Sequence, residues 1–541
     1  MKQAGGMKLI ICAVAVLGAV SAEARVKFVA HGWDMMDMEP TVAAANADAL
    51  AKTGVDGLTL ALPPRQQADG TKADVFALSD KVAVAYDTYA DAVPCWRQVV
   101  RHEELRESFL CCGFWAFKSA WTDDAKWRVM AGNMRVLARL AKEGGLRGLF
   151  LDNEDYGKRR QFMHRPAECD YATARKLARQ RGREVFAGVF EEFPEIRILP
   201  FWLLSQVKGY AECADPVAAM KAEGNLWPDF VNGMLDAIPP QAQLVDGDEY
   251  AYSYDYTSKD YALAASRQLV GLLPLVEPEN RAKYRAQMSV GFGFYLDGYT
   301  STNRSAFYRG PVNGSRLEHL RLNLQDAAKN ADEYIWLYGE KFSWVKWRFS
   351  DKPRLTRKYS VERTWEDAHP GLRSVLREVR NPAGGLTERV IAARAKGANR
   401  FPEALAREKH WSNKNCGSYK VDPKGGIGGV LSVTGVRNGC YELPVSVNPG
   451  ETWVADMYME GSCGPGMRPS MCYQDSSGKW HWELGTVHCE NMGADTVGRT
   501  RFSGLVRIPE KMTTLVLMLN AGQRKDEAAT FTDILMAKCE E

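Results

Sequence analysis

The chain of 541 residues has 45% hydrophobic and 25% charged residues, the composition of a soluble globular protein too long for one ordinary domain. A net charge of +3 over that length excludes wholesale electrostatic attraction to nucleic acid or to an anionic membrane as its basis of action. The 15 Trp and 21 Tyr are more informative, because many stand beside acidic residues at the ends of apolar runs.

The first 24 residues read as a signal peptide. Lys2 and Lys8 flank the apolar run Leu9–Val20, and Ser21-Ala-Glu-Ala24 offers a small-residue cleavage site before Arg25. The protein is therefore expected to be secreted or periplasmic. No later run is long and apolar enough to span a bilayer, so membrane insertion is not expected.

From Arg25 to about Trp347, eight short apolar runs alternate with segments of helical period. The predicted strands are Val26–Ala30, Gly57–Leu62, Phe109–Phe117, Leu146–Leu151, Ile196–Leu204, Gln243–Val245, Met288–Leu296 and Tyr334–Tyr338. Between them lie amphipathic stretches such as Asp124–Lys142, Tyr171–Phe190, Pro228–Ile238, Tyr261–Leu275 and Arg316–Ala331. Eightfold alternation predicts an α/β fold, a (β/α)8 TIM barrel over residues 25–385. A doubly wound open sheet is disfavoured, since no Gly-x-Gly-x-x-Gly turn follows the first strand. The long interval Pro63–Ser108 is expected to carry a lid or hairpin.

The barrel pattern stops at Asn381–Gly385, and residues 386–409 form a helical linker. Residues 410–541 then alternate with period two in Cys440–Val447, Thr452–Met459, Arg501–Ile508, Thr513–Leu519 and Thr530–Met536, which predicts an all-β sandwich. Six cysteines crowd this end: Cys416, Cys440, Cys463, Cys472, Cys489 and Cys539. In an exported domain they predict disulfides, about three, rather than a zinc site, because no C-x-x-C pair occurs.

Strand ends carry the chemistry. The first runs into His31, Trp33 and Asp34, the third into Trp115, the fourth into Asp152-Asn-Glu154 and the fifth into Trp202. The sixth gives Asp248, Glu249, Tyr252 and Tyr254, the seventh Asp297, and the eighth Glu340 and Trp344. In a barrel these ends converge on one mouth. Hydrolysis of a glycosidic bond needs two carboxyl groups, one donating a proton and one acting as nucleophile or base. Glu154, Glu340, Asp152 and Asp248 are the catalytic candidates. His31, Trp33, Asp34, Trp115, Trp202, Glu249, Tyr252, Tyr254, Asp297 and Trp344 are the substrate-binding ones. A carbohydrate is the expected partner, and nucleic acid is not. No cofactor or metal is expected: Asp246 and Asp248 lack the full calcium-loop spacing, and His31 stands without a second histidine at the strand ends.

On these motifs the chain resembles (β/α)8-barrel glycoside hydrolases, above all secreted bacterial ones with an appended sugar-binding sandwich. Asn153-Glu154 is similar to the Asn-Glu pair of the large retaining clan, which implies Glu154 as acid/base and Glu340 as nucleophile. In that clan the nucleophile follows strand seven, whereas Glu340 follows the eighth run. Asp152-x-Glu154 with Tyr254-Asp255 is similar to chitinase-like and related hexosaminidases, which implies substrate-assisted hydrolysis; their further Asp two residues upstream is Phe150 here. The α-galactosidase-like barrels imply Asp152 as nucleophile with Asp248 or Glu249 as acid. From Gly450 onward the terminal strands resemble jelly-roll carbohydrate-binding modules, with Tyr473, Trp480 and Trp482 as a candidate platform. A rival of another class is a glycan-binding barrel without catalysis.

Overall fold

The computed structural model describes residues 26–114, 116–156, 160–312, 314–348, 359–397, 399–412, 417–424 and 429–539. The segment read as a signal peptide, Trp115 and Cys416 lie outside the described residues.

Eight parallel strands form a TIM barrel: β1 (Lys27–Gly32), β2 (Gly57–Leu60), β3 (Phe109–Gly113), β4 (Gly148–Asp152), β5 (Arg197–Pro200), β6 (Gln243–Asp246), β7 in two pieces (Met288–Val290 and Phe292–Tyr295) and β8 (Tyr334–Gly339). The ring closes through β7, whose first piece pairs with β6 and whose second pairs with β8, with Gly291 between them. β8 then pairs with β1 over Lys27–Gly32. Strand termini lie within a few residues of expectation except at the carboxyl ends. There Phe114, Phe117, Phe201–Leu204 and Leu296 are apolar but belong to the mouth loops.

Helices flank every strand, among them α1 (Ala92–Val99), α2 (Asp124–Glu143), α3 (Tyr171–Glu192), α4 (Trp227–Ala237), α5 (Arg316–Asn330) and α6 (Leu372–Arg380). Asp123, Asp170 and Ser315 cap α2, α3 and α5 through side-chain oxygens that accept backbone N–H groups. The Pro63–Ser108 interval folds into a hairpin pairing Arg65–Gln66 with Lys72–Ala73, followed by α1.

Strand parity decides what faces the mouth. Val29, Phe109, Cys111, Phe150, Leu199, Phe201, Val245, Tyr334 and Trp336 fill the barrel interior as one cluster. Their neighbours Phe28, Ala30, Leu110, Cys112, Leu149, Leu151, Ile198 and Leu244 face the helices. Two residues beyond an interior position lies an inward position at the rim. His31, Asp152 and Tyr338 follow Val29, Phe150 and Trp336 in this way, while Asp246 follows outward-facing Leu244. Gly293 permits this packing, since a Cβ there would stand 2.7 Å from the Trp336 ring and 3.0 Å from Tyr252.

The carboxyl-terminal region is a β-sandwich. A five-stranded sheet (Lys409–Ser412, Gly439–Ser446, Met512–Ala521, Ser470–Asp475, Val487–His488) packs on a six-stranded one (Ser418–Asp422, Val430–Thr434, Ala528–Cys539, Thr452–Gly461, Thr500–Arg507, Glu490–Ala494). Asn381-Pro382 is a helix start rather than a chain break: Pro382 opens the helix Pro382–Ala395, whose Leu386, Val390 and Ala393 cover Val454, Leu535 and Ala537 of the six-stranded sheet. Buried Asp456 ties them, accepting from Arg394 at 2.7 Å, Arg501 at 2.8 Å and the Ser503 hydroxyl. Asp456→Ala strands two arginines and is expected to cost about 3–5 kcal/mol. The measurement is the urea midpoint at unchanged m; a loss under about 1 kcal/mol would show that the network is idle.

The expected disulfides are not seen among the described residues. All ten cysteines among the described residues are thiols. Cys440 and Cys472 lie on strands that flank Met512–Ala521 on opposite sides, opposite Asn520 and Val516. Two strand spacings, about 9.5 Å, exceed the reach of a disulfide. The buried thiols fill space as small apolar side chains.

Candidate active site

At the tip of β4, Asp152 is 4% exposed and its Oδ1 accepts the backbone N–H of Glu154 at 3.0 Å. Asn153 turns sideways, donating through Nδ2 to the Trp202 carbonyl at 2.8 Å and accepting the Trp202 N–H at 3.4 Å. This brace joins the β4 and β5 tips. Asp155 is pinned by Lys118 and by the N–H groups of Gln161 and Phe162 at 2.9 and 3.0 Å. Between these anchors stands Glu154, half-buried and hydrogen-bonded by Tyr156.

The loop after β6 separates its three acids. Asp246 points outward, as parity requires, and accepts from the backbone N–H groups of Leu203 at 2.9 Å and Ser205 at 2.8 Å, and from the Ser205 hydroxyl. Asp248, at φ 32°, is buried in a side cluster, where its Oδ2 accepts from Tyr254 at 3.1 Å and Gln268 at 3.2 Å. Lys208 approaches the same cluster over the rings of Tyr250 and Tyr254. Glu249 alone turns toward β4. Burial, then the charges of Glu154 and Asp152, push its pKa up to about 8. Burial and Glu154 likewise push Asp152 up to about 8. Asp152, Glu154 and Glu249 therefore form one electrostatically coupled group.

Glu340 sits in a different corner. Its two carboxyl oxygens accept from Tyr338 at 2.8 Å and Tyr295 at 3.1 Å, and its backbone N–H donates to Asp297 at 2.6 Å. It follows β8, so the strand-seven position of the retaining clan is held by Asp297, a fully buried carboxyl that supports the Glu340 backbone. Asp34 and Trp344 are also buried here, with the Trp344 N–H donating to Asp34 at 2.8 Å. His31 bonds the Thr59 hydroxyl at 2.7 Å among Phe150, Phe201, Trp336 and Tyr338. Burial drops its pKa to about 3, which leaves a neutral ring suited to hydrogen bonding rather than to proton abstraction.

Aromatic rings wall the mouth. Tyr252, Tyr295 and Tyr338 form a trio of mutually stacked rings, with centroids 5.4, 5.9 and 5.6 Å apart, and Tyr252 lies against Glu249. Trp202 packs on Tyr250 at 5.5 Å, and Phe307, 39% exposed, meets the edges of Tyr252 and Tyr295. The Trp33 indole N–H reaches the Tyr338 phenol. Phe76 of the hairpin excursion packs against the same aromatic cluster. Tyr156, Tyr250, Tyr295 and Tyr338 were absent from the predicted set, although Tyr338 is two residues beyond inward Trp336 and parity alone would have found it. In the chitinase-like Tyr-Asp pair, Tyr254 bonds Asp248, while Asp255 is taken by His319 at 2.9 Å and Thr257. In the sandwich, Tyr473 is buried, and Trp480 and Trp482 stack at 4.9 Å with Trp482 53% exposed.

No protein-family model and no curated protein matches the chain. Solved structures that it resembles include a GH5_18 protein from Streptomyces cattleya in complex with GlcNAc (10% identity, 66% of this chain and 82% of that one, TM-score 0.38). Others are a GH18 chitinase from Pseudoalteromonas aurantia (11%, 58% and 93%, 0.29) and the CBM22-1 xylan-binding domain of Paenibacillus barcinonensis Xyn10C (10%, 24% and 86%, 0.18). Likenesses this distant assign neither activity nor substrate.

Proposed function

We propose that the chain is a glycoside hydrolase whose reaction centre is the coupled group Asp152, Glu154 and Glu249. One observation carries this reading: in a mouth walled by aromatic rings, the Glu249 carboxyl is packed close to Glu154 and Asp152, and burial with that neighbourhood raises its pKa to about 8. Two carboxyls in unlike protonation states are what acid-assisted glycoside cleavage requires. Glu249 transfers its proton to the glycosidic oxygen as the bond to the anomeric carbon breaks. Glu154 either adds to that carbon or takes the proton of the water that does. Asp152, whose Oδ1 accepts the Glu154 N–H, positions the β4 tip. Trp202, Tyr250 and Trp33 offer faces for sugar rings. The arrangement of nucleophile at β4 and acid at β6 is nearest to the α-galactosidase-like resemblance. The leader pattern of residues 1–24, outside the described residues, supports export.

A second reading keeps Glu154 as acid/base and makes Glu340 the nucleophile. Its support is the pair of phenol donors that hold both Glu340 oxygens in the mouth. Chromogenic glycosides and polysaccharides, screened with product anomers followed by NMR, test both readings. Turnover that vanishes in Glu154→Gln is expected. Wild-type protein that binds sugars yet turns none over would overturn hydrolysis and leave a glycan-binding barrel.

A further inference from the structure

A large cleft lies away from the mouth. It runs between the barrel flank and the sandwich, with a volume of ≈ 2780 Å³, bounded by α5, the strand Ser360–Thr364 and α6 on one side and the edge of the sandwich on the other. Nine Arg or Lys line it against three Glu. Two of those Glu are neutralised locally, Glu318 by Arg321 and Glu378 by Arg389. Lys329 on α5, Arg363 on the strand Ser360–Thr364 and Arg468 in the loop before Ser470–Asp475 are exposed and form no ion pair among the described residues. Positive charge is thus gathered in one concave place in a chain whose net charge is only +3.

A second, independent feature is His369. It is 5% exposed, lines the same cleft, and its buried Nε2 has no hydrogen-bond partner among the described residues. The other side of its ring is bonded to the Leu296 backbone. Burial, then the charge of Arg316, hold its pKa near 4, so the ring is neutral and Nε2 presents a lone pair. A buried lone acceptor needs an O–H or N–H donor. The lining aromatics Tyr256, Tyr299, Phe342 and Tyr473 are all buried or half-buried, so no exposed ring is offered on which nucleic-acid bases would stack.

We propose that this cleft is a second carbohydrate site, for a stretch of anionic polysaccharide bearing sulfate or carboxylate groups. Lys329, Arg363 and Arg468 meet the anionic groups, and His369 Nε2 accepts one sugar hydroxyl. The site is separate from the mouth, so its binding does not depend on the hydrolytic reading.

Titration calorimetry of the full chain with a heparin hexasaccharide, a neutral cellohexaose and a 12-nucleotide single-stranded DNA tests it. Heparin is expected to bind, with at least tenfold weaker affinity in Lys329→Glu/Arg363→Glu/Arg468→Glu and unchanged affinity in Glu154→Gln. An equal charge change elsewhere on the surface, Lys52→Glu/Lys176→Glu/Arg285→Glu, is expected to weaken it less than threefold. All six positions are exposed, and matching circular dichroism spectra verify folding; should the triple variant not fold, the single Lys329→Glu is expected to weaken binding about threefold. Absence of heparin binding, equal losses in the two triple variants, or DNA bound as tightly as heparin would overturn the proposal.

Discussion

Glu154→Gln is expected to lower kcat on a glycoside by about 10²–10⁴-fold while leaving KM within a few-fold. The change removes a charge but almost no volume, and the loop that carries it is fixed independently by the Asn153–Trp202 brace and the Asp155 anchors. Loss of the Glu154 charge also relieves its neighbours, so Asp152 and Glu249 are expected to release their protons at lower pH in the variant. Both effects have one cause, and carboxyl titration followed by NMR reads the second without any substrate. Full activity in Glu154→Gln would remove the β4 tip from the reaction.

Glu249→Gln is expected to abolish turnover of substrates with poor leaving groups by a similar factor, yet to spare dinitrophenyl glycosides, whose leaving group needs no proton. In the wild type, kcat/KM is expected to fall as pH rises through about 8, where Glu249 ionises, and this alkaline limb should vanish with the variant. Stability follows the opposite preference. The folded pKa of Glu249 is raised above the unfolded value, so the folded state holds the extra proton between the ordinary glutamate value of 4.5 and about 8. That contribution is complete below pH 4.5 and is lost as pH rises to about 8. Glu249→Gln, free of the burial penalty on charge, is therefore expected to be about 1–3 kcal/mol more stable than the wild type at pH 8 and nearly equal to it at pH 4. Equal urea midpoints at both pH values would show that Glu249 is not buried as described.

Much of the barrel was legible because its eight runs are apolar on both faces, Val29 inward and Phe28 outward, for example, and period and length then suffice. The sandwich was half legible. Central strands such as Thr452–Gly461 carry a long buried run, whereas edge strands such as Ser418–Asp422 and Glu490–Ala494 are nearly all exposed and lack the apolar signal. In the site, residue type identified the acids but not their partners. Asp248 and Glu249 are adjacent in sequence, yet the left-handed backbone at Asp248 turns one into a side cluster and the other toward β4. Asp246, Asp297 and Asp34 have the look of rim acids in sequence, but backbone N–H groups claim them. Count and spacing of cysteines carry no information on which strand lies between two thiols, as Met512–Ala521 does between Cys440 and Cys472.

The most direct measurement compares kcat/KM of Glu249→Gln and Glu340→Gln on one unactivated glycoside that the wild type hydrolyses. Pairing of Glu154 with Glu249 predicts a loss of at least about a hundredfold in Glu249→Gln and less than about tenfold in Glu340→Gln, whose corner then retains Tyr295, Tyr338 and Asp297. Near-wild-type turnover in Glu249→Gln together with collapse in Glu340→Gln would contradict it and move the nucleophile to β8.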